Sequence, residues 1–408
     1  VKKKIGFVGP FSTANFGDWS MLVNNIYDLK TENPIIFTYS PRFPKQSLRE
    51  YIEDINVKYI EVKLKDSVES TNVNNPTPLD ALVSLDNASE VYEAINEIDI
   101  LIVSGGGWIN HFWSQRIDKL YKILIPIYIA NQKQKQIVFT ANGIGPFDET
   151  RELFRYFFGY IKGAKIAVRD NLYSMSHLHE VGVEGKEVFH LPDDLYLINQ
   201  SIINKNTHIE ILEKDYIVIE MFYPTNMLKK HEKILLDFSK KIYEKYGLTI
   251  VLLPFDLVQF GSEQAKYLHS IFEKSKLVDI DELGYLPMQD AYSIIKNAKL
   301  MITSRYHGLV LSLSAETPVI FRLYDKMGDF RYSYNKGLGM LRTAFDGIEF
   351  SEQDFLQIDL ITILNNVENN LQDIVFNQKN IYSSKIFKQN KLKLKQVRSN
   401  YLQDILEQ

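Results

Sequence analysis

The chain reads as an α/β protein of two Rossmann-like domains, each built on a parallel sheet, followed by a C-terminal helical tail. Three observations carry that reading. Short apolar runs alternate with longer stretches of helical period, the pattern of βαβ units. The alternation stops at a polar stretch, residues 199–206, and then restarts. The glycine-rich and charged segments fall directly after apolar runs, where an open parallel sheet presents its carboxyl ends to ligands.

In the first half, the apolar runs at residues 5–9, 35–39, 59–62, 100–104, 137–141, 165–168 and 188–191 are expected as strands. Helices are expected between them, over 18–29, 117–130 and 172–180 among others. Residues 65–94 are polar and rich in Asn, Ser and Asp, and are expected as an insertion or a helix-loop segment. After the polar stretch, strands are expected at 216–221, 249–253, 300–303 and 319–323, with helices over 229–246 and 263–274. This places an N-terminal domain at 1–200, a second at 207–350 and a tail at 351–408. Two such domains facing each other across a cleft make the glycosyltransferase-B architecture, which by itself does not fix function.

The last helix of the tail is basic, carrying Lys379, Lys385, Lys388, Lys391, Lys393, Lys395 and Arg398. Ile386, Phe387, Leu394, Val397, Tyr401 and Ile405 are expected as its apolar stripe. Such a helix either packs across the back of the domains or rests against a membrane surface.

Composition narrows the chemistry. Of the 408 residues, 45% are hydrophobic and 24% charged, ordinary values for a globular protein with a large core. The formal net charge of −4 offers no basic field for nucleic acid, so any anion must be bound locally. There is no cysteine, which excludes disulfides, thiolate metal sites and thiol catalysis. The apolar run after Lys2-Lys3-Lys4 is too short for a signal-peptide core and reads as a buried strand. No run approaches the ~18–20 apolar residues of a membrane span. A cytoplasmic location is expected, with peripheral contact at the inner face of the membrane as the variant the basic helix suggests.

Four strand exits carry candidate chemistry. The first, Gly9 to Asp18, has glycines that let backbone approach a ligand and a helix start beyond them. Asp18 either caps that helix or takes a proton from a sugar hydroxyl, and Asn15 lies beside it. The second is Ser104-Gly105-Gly106-Gly107-Trp108, which reads as a loop whose backbone N–H groups suit a phosphate or carboxylate, or as a tight turn. Asn110, His111 and Trp113 follow as acceptor-side candidates. The third, residues 140–146, carries Asn142 between strand and glycines and reads as a cleft wall.

The fourth is Thr303-Ser304-Arg305-Tyr306-His307-Gly308, between an apolar strand and a helical run. Arginine holds carboxylate or phosphate through two parallel hydrogen bonds. Histidine moves a proton near neutral pH. The helix start adds positive potential. Arg169, after residues 165–168, is a second cation at a strand exit, with pairing to Asp170 as its alternative fate. Lys326 is a third. His177 and His179, two apart on a helix, face different ways, and no metal site is read.

The segments Asn15-Phe16-Gly17-Asp18, Gly105-Gly106-Gly107, Val168-Arg169-Asp170, Arg305-Tyr306-His307 and Thr317-Pro318-Val319-Ile320 occur in an order that resembles the polysaccharide pyruvyl transferase family, over roughly residues 5–330. The resemblance implies a glycosyltransferase-B-like fold, phosphoenolpyruvate as donor substrate with no cofactor or metal, and a glycan or lipid-linked sugar as acceptor. It implies that Arg305 binds donor, that His307 is the general acid, and that Arg169 is a further donor ligand. One departure is visible. Where the family often has Asp-Pro-Ala, this chain has Pro192-Asp193-Asp194-Leu195. Two competing readings remain: a glycosyltransferase of the same architecture with a nucleotide-sugar donor, and an inactive glycan-binding relative.

Overall fold

A computed structural model describes residues 2–65, 77–185, 188–210, 215–257, 261–326 and 328–407. Part of the expected 65–94 insertion therefore lies outside the described residues. Its remainder holds the helices Pro78–Val83 and Ala88–Glu97. The chain divides into two compact units: Val1–Thr13, Gly17–Asp194 and Leu394–Gln408 form one, and Ala14–Phe16 with Leu195–Lys393 the other.

The first unit is an all-parallel sheet of β1 (Ile5–Val8), β2 (Ile35–Thr38), β3 (Lys58–Glu61), β4 (Ile100–Val103), β5 (Gly106–Ile109), β6 (Gln136–Ile144), β7 (Lys165–Val168) and β8 (Val188–His190). Its spatial order is β3-β2-β1-β4-β6-β7-β8, with β5 pairing β6. The runs IGFV, IIFT and ILIV are buried at every position. That is why they read as unbroken apolar segments: helices cover both faces of a parallel sheet.

The second unit contains β9 (Tyr216–Glu220), β10 (Thr249–Leu252), β11 (Ser275–Leu277), β12 (Met301–Thr303), β13 (Val319–Arg322) and β14 (Leu356–Gln357). All are parallel, in the order β11-β10-β9-β12-β13-β14. This is the doubly wound order, with its topological switch point between β9 and β12. In the first unit the switch point lies between β1 and β4.

Two parallel-sheet α/β units and C-terminal helices agree with the expected fold class. Several details differ. Residues 106–108, part of the segment 104–108 read as a loop or a tight turn, fall in β5, because Gly106 pairs with Asn142 and Ile109 with Ile144. Within the polar stretch 199–206, where the alternation of strands and helices stops, the helix Gln200–Ile203 forms, capped by the Asn199 side chain, which accepts from Ser201 N at 3.0 Å. The unit boundary falls at Asp194–Leu195.

The tail holds the helices Leu360–Ser383 and Lys385–Glu407. Leu360, Ile363, Leu364, Val367 and Leu371 enter the core of the second unit. The buried stripe of the last helix is Phe387, Leu394, Arg398, Tyr401, Leu402 and Ile405, whereas Ile386 and Val397 are exposed. Eleven residues on from Phe387 is about three whole turns and reaches Arg398, while Val397 falls short of that face, so the true face contains a charge. No helix among the described residues is long and apolar enough to cross a membrane.

Candidate active site

In the second unit, the switch point is built around Glu220, the last residue of β9 and only 4% exposed. Its Oε2 accepts from the Thr303 hydroxyl (2.8 Å), Ser304 N (3.1 Å) and Arg305 N (2.9 Å). One carboxylate oxygen thereby holds the turn that joins β12 to the helix Tyr306–Ala315. Burial pushes the Glu220 carboxyl above the usual carboxylate range, against the opposing pull of Arg305 and of these hydrogen bonds.

Arg305 is the N-cap residue of that helix, in extended conformation. Its guanidinium lies 3.6 Å from Glu220 Oε1 and 3.9 Å from Asp256 Oδ2, and 4.5 Å from the centre of the Phe222 ring. These neighbours orient its plane at distances longer than a direct hydrogen bond. His307 occupies the first helical turn, partly exposed, and its ring meets that of Tyr306 edge-on at 5.1 Å. Gly308 follows because a Cβ there would run into the Thr303 side chain. Arg305 and His307 thus emerge together at a strand exit and helix start, as the sequence indicates. Lys326 belongs to the same unit, with its Nζ 4.6 Å from the Tyr332 ring centre. Asn15 is half-buried in the short stretch Ala14–Phe16, which belongs to this unit; there Phe16 N donates to the Phe255 carbonyl at 3.2 Å.

The remaining sequence candidates lie in the first unit. Asp18 is half-buried in the first turn of the helix Phe16–Asp28. Gly105 sits under Asp194: a Cβ there would fall 2.5 Å from Asp194 Oδ2 and 3.1 Å from the Ala141 carbonyl. Gly106 and Gly107 belong to β5. Asn110 is 1% exposed, and its side chain accepts from Phe112 N (3.0 Å) while donating to the Gly107 carbonyl (2.6 Å). His111 Nδ1 bonds the Pro146 carbonyl at 2.9 Å. Trp113 packs partly buried against the core. Asn142 is fully buried and donates to the carbonyls of Val103 and Thr140.

Arg169 is 2% exposed, packs over Gly143 and lies 3.6 Å from Asp193 Oδ2. Asp170, its sequence-expected alternative partner, instead caps the helix Tyr173–Glu180, accepting from Tyr173 N (2.6 Å) and Ser174 N (3.0 Å).

The family model for polysaccharide pyruvyl transferase matches residues 22–326. The chain belongs to that family. No curated protein sequence matches it. Solved structures that resemble this pyruvyl transferase family member include three nucleotide-sugar proteins. A Listeria monocytogenes protein assigned as a UDP-N-acetylglucosamine 2-epimerase is 15% identical, with a TM-score of 0.59 over 95% of this chain and 92% of that one. The Neisseria meningitidis UDP-GlcNAc 2-epimerase, bound to UDP-GlcNAc, is 11% identical, with a TM-score of 0.57 over 97% and 99%. Anabaena HepE, in complex with UDP and glucose, is 14% identical, with a TM-score of 0.55 over 98% and 99%. At these identities the likeness is one of fold, of the glycosyltransferase-B-like class.

Glu220, Asp256 and Phe222, which hold Arg305, were not singled out from the sequence. A signal exists for Glu220: an acid at the end of the otherwise apolar run YIVIE, on the first strand of a doubly wound sheet.

Proposed function

We propose that this family member transfers the enolpyruvyl unit of phosphoenolpyruvate onto two hydroxyls of one sugar, forming a cyclic ketal and releasing phosphate. The observation that carries the reading is the Arg305-Tyr306-His307 turn, presented on a helix start at the switch point and held by the buried Glu220 carboxylate. Arg305 binds an anionic group of the donor, aided by the helix dipole. His307 gives a proton to the methylene carbon, which becomes the methyl group. The adjacent carbon gains oxocarbenium character and one sugar hydroxyl adds to it. The bond to the phosphate oxygen breaks, phosphate leaves, and a second hydroxyl closes the ketal. Of the two hydroxyl protons, one restores His307 and the other leaves with phosphate.

Asp18 is proposed as a base for a hydroxyl and Arg169 as a further donor ligand. No cofactor or metal enters this scheme. The acceptor is a glycan precursor, free or lipid-linked, and the exposed lysines of the last helix are proposed to rest near the lipid surface that carries it. The test is phosphate release from phosphoenolpyruvate with a sugar acceptor. General acid catalysis is worth ~10²–10⁴-fold. His307→Ala should therefore cut kcat by about that factor with donor affinity nearly kept, and Arg305→Ala should mainly weaken donor binding. Near-normal turnover in His307→Ala, or stabilisation by a nucleotide-sugar and not by phosphoenolpyruvate, would overturn the proposal.

A further inference from the structure

The helix Gly261–Ile271 turns Gly261, Gln264, Ala265 and Leu268 inward, at the spacing of one helical face. Gly261 lets the helix start lie against the Asp256 carbonyl, which a Cβ would strike. Gln264 therefore stands where the period calls for an apolar side chain, and it is 2% exposed. Neither its Nε2 nor its Oε1 has a hydrogen-bond partner among the described residues. A buried amide left in that state is costly, and most buried polar groups are satisfied by protein or by ordered water.

Gln264 lines a cavity of about 10 Å³, together with residues of β9, β10 and the turns that follow them. Leu252, Ala265 and Leu268 give it apolar walls. Among the described residues that line it, only Glu220 and Gln264 carry polar side chains. Glu220 uses Oε2 for the Thr303, Ser304 and Arg305 bonds, whereas its buried Oε1 takes no hydrogen bond and stands 3.6 Å from Arg305 Nε. Two buried polar groups, each short of a bond, thus line one volume of about the size that a single water needs.

We propose that this cavity is a hydration site of the second switch point, in which one buried water accepts a hydrogen bond from the Gln264 amide and donates one to Glu220 Oε1. Glu220 is then bonded through both oxygens, directly to the Arg305 turn and through water to the helix Gly261–Ile271. The inference concerns the second unit alone and does not depend on which donor the site takes.

The first measurement is a crystal structure of the full chain at a resolution that shows ordered water. A density peak within hydrogen-bond reach of both Gln264 and Glu220 Oε1 is expected. A Gln264 amide bonded directly to Glu220 or to another side chain, with no water between, overturns the proposal. The second is urea unfolding followed by far-UV circular dichroism, in wild type and Gln264→Leu, each with and without Glu220→Gln. Gln264→Leu breaks the bonds to the water and strands Glu220 Oε1, so the midpoint should fall by about 0.5 M or more. The fall in stability with pH that Glu220 shows relative to Glu220→Gln should also move to higher pH in the Leu background. There the carboxylate has lost a group that solvates its charged form, while the charges of Arg305 and Arg322 that act on it are unchanged. A dry cavity gives the opposite sign, because Leu removes two amide atoms that had no partner and the midpoint stays or rises. That result, or a pH profile that does not move, sinks the inference.

Discussion

Arg398 offers a direct test of how the first unit is held together. It is 3% exposed on the last helix and has every arm of its guanidinium engaged. Nη1 donates to Asp194 Oδ1 (2.6 Å), Nη2 to Asn25 Oδ1 (2.8 Å) and Asp28 Oδ2 (2.9 Å), and Nε to Asp28 Oδ2 (3.0 Å). Asp194 is fully buried and also accepts from Asn25 Nδ2 (2.9 Å) and Thr140 Oγ1 (2.8 Å). Arg398→Met keeps the stem and its packing but leaves the Asp194 carboxylate buried without its counter-charge. Breaking one side of such a pair costs ~3–5 kcal/mol. Asp194→Asn in the same background removes the stranded charge while keeping an acceptor for Asn25 and Thr140. The double variant should therefore be destabilised by less than the two single variants added together, with a coupling of about 2 kcal/mol or more.

The assay follows from the sequence. All three tryptophans, Trp19, Trp108 and Trp113, belong to the first unit, so their fluorescence in urea reports that unit alone. With a slope of about 2 kcal/mol/M, a destabilisation of about 4 kcal/mol lowers the midpoint by about 2 M. A destabilisation under about 1 kcal/mol in Arg398→Met, or additivity with Asp194→Asn to within ~0.5 kcal/mol, would refute the reasoning.

Arg322, at the end of β13, should behave in the opposite way. Its guanidinium stacks 4.4 Å from the Tyr223 ring centre, but Nε and Nη1 are buried with no hydrogen-bond partner among the described residues, and burial lowers its pKa. Arg322→Met should change stability by less than ~1 kcal/mol in far-UV circular dichroism melts, because no strong bond is removed. Gly105→Ala should destabilise the first unit by ~1–3 kcal/mol in the tryptophan assay, since its Cβ meets Asp194 and a backbone carbonyl; an unchanged midpoint would contradict that. Glu220 gives a pH signature. Its folded pKa lies above the reference 4.5, so its contribution is fully present below that value and is lost as pH rises through the folded value. The stability of wild type relative to Glu220→Gln should fall as pH rises above 4.5, and a flat difference by urea denaturation would contradict the raised pKa.

The main strands were legible because parallel strands covered on both faces are written as unbroken apolar runs. The runs that escaped notice lack that signature. Gly106–Ile109 carries two glycines of low strand propensity, and only its pairing to Asn142 and Ile144 makes it a strand. Leu356–Gln357 is two residues at a sheet edge. Arg305 and His307 were legible because strand end, charge and helix start coincide. Glu220 was hidden inside the run that made β9 legible, and Arg398 inside a helix whose other cations made it look like a basic face. Of those cations, Lys391 pairs with Glu316 at 2.8 Å and Lys393 lies 3.6 Å from Asp346, so part of the basic character serves contacts within the chain.

The two switch points use one device for different ends. Each buries a carboxylate that accepts a threonine hydroxyl from a neighbouring strand, Thr140 to Asp194 and Thr303 to Glu220, both at 2.8 Å. In the first unit the arginine that answers the carboxylate is itself buried and bonded at 2.6 Å, and Gly105 is pressed against the acid. That arrangement consumes the charge of both partners and can only stabilise. In the second unit the answering arginine keeps 15% of its side chain exposed and stands 3.6 and 3.9 Å from its two acids, beyond a normal hydrogen bond. Glu220 spends its strong bonds on the backbone of the turn instead. Geometry is thereby fixed through the main chain, and the guanidinium stands farther from these two acids than Arg398 does from its own. The proposed function puts the donor at Arg305, the more exposed of the two arginines, and not at the buried Arg398 cluster.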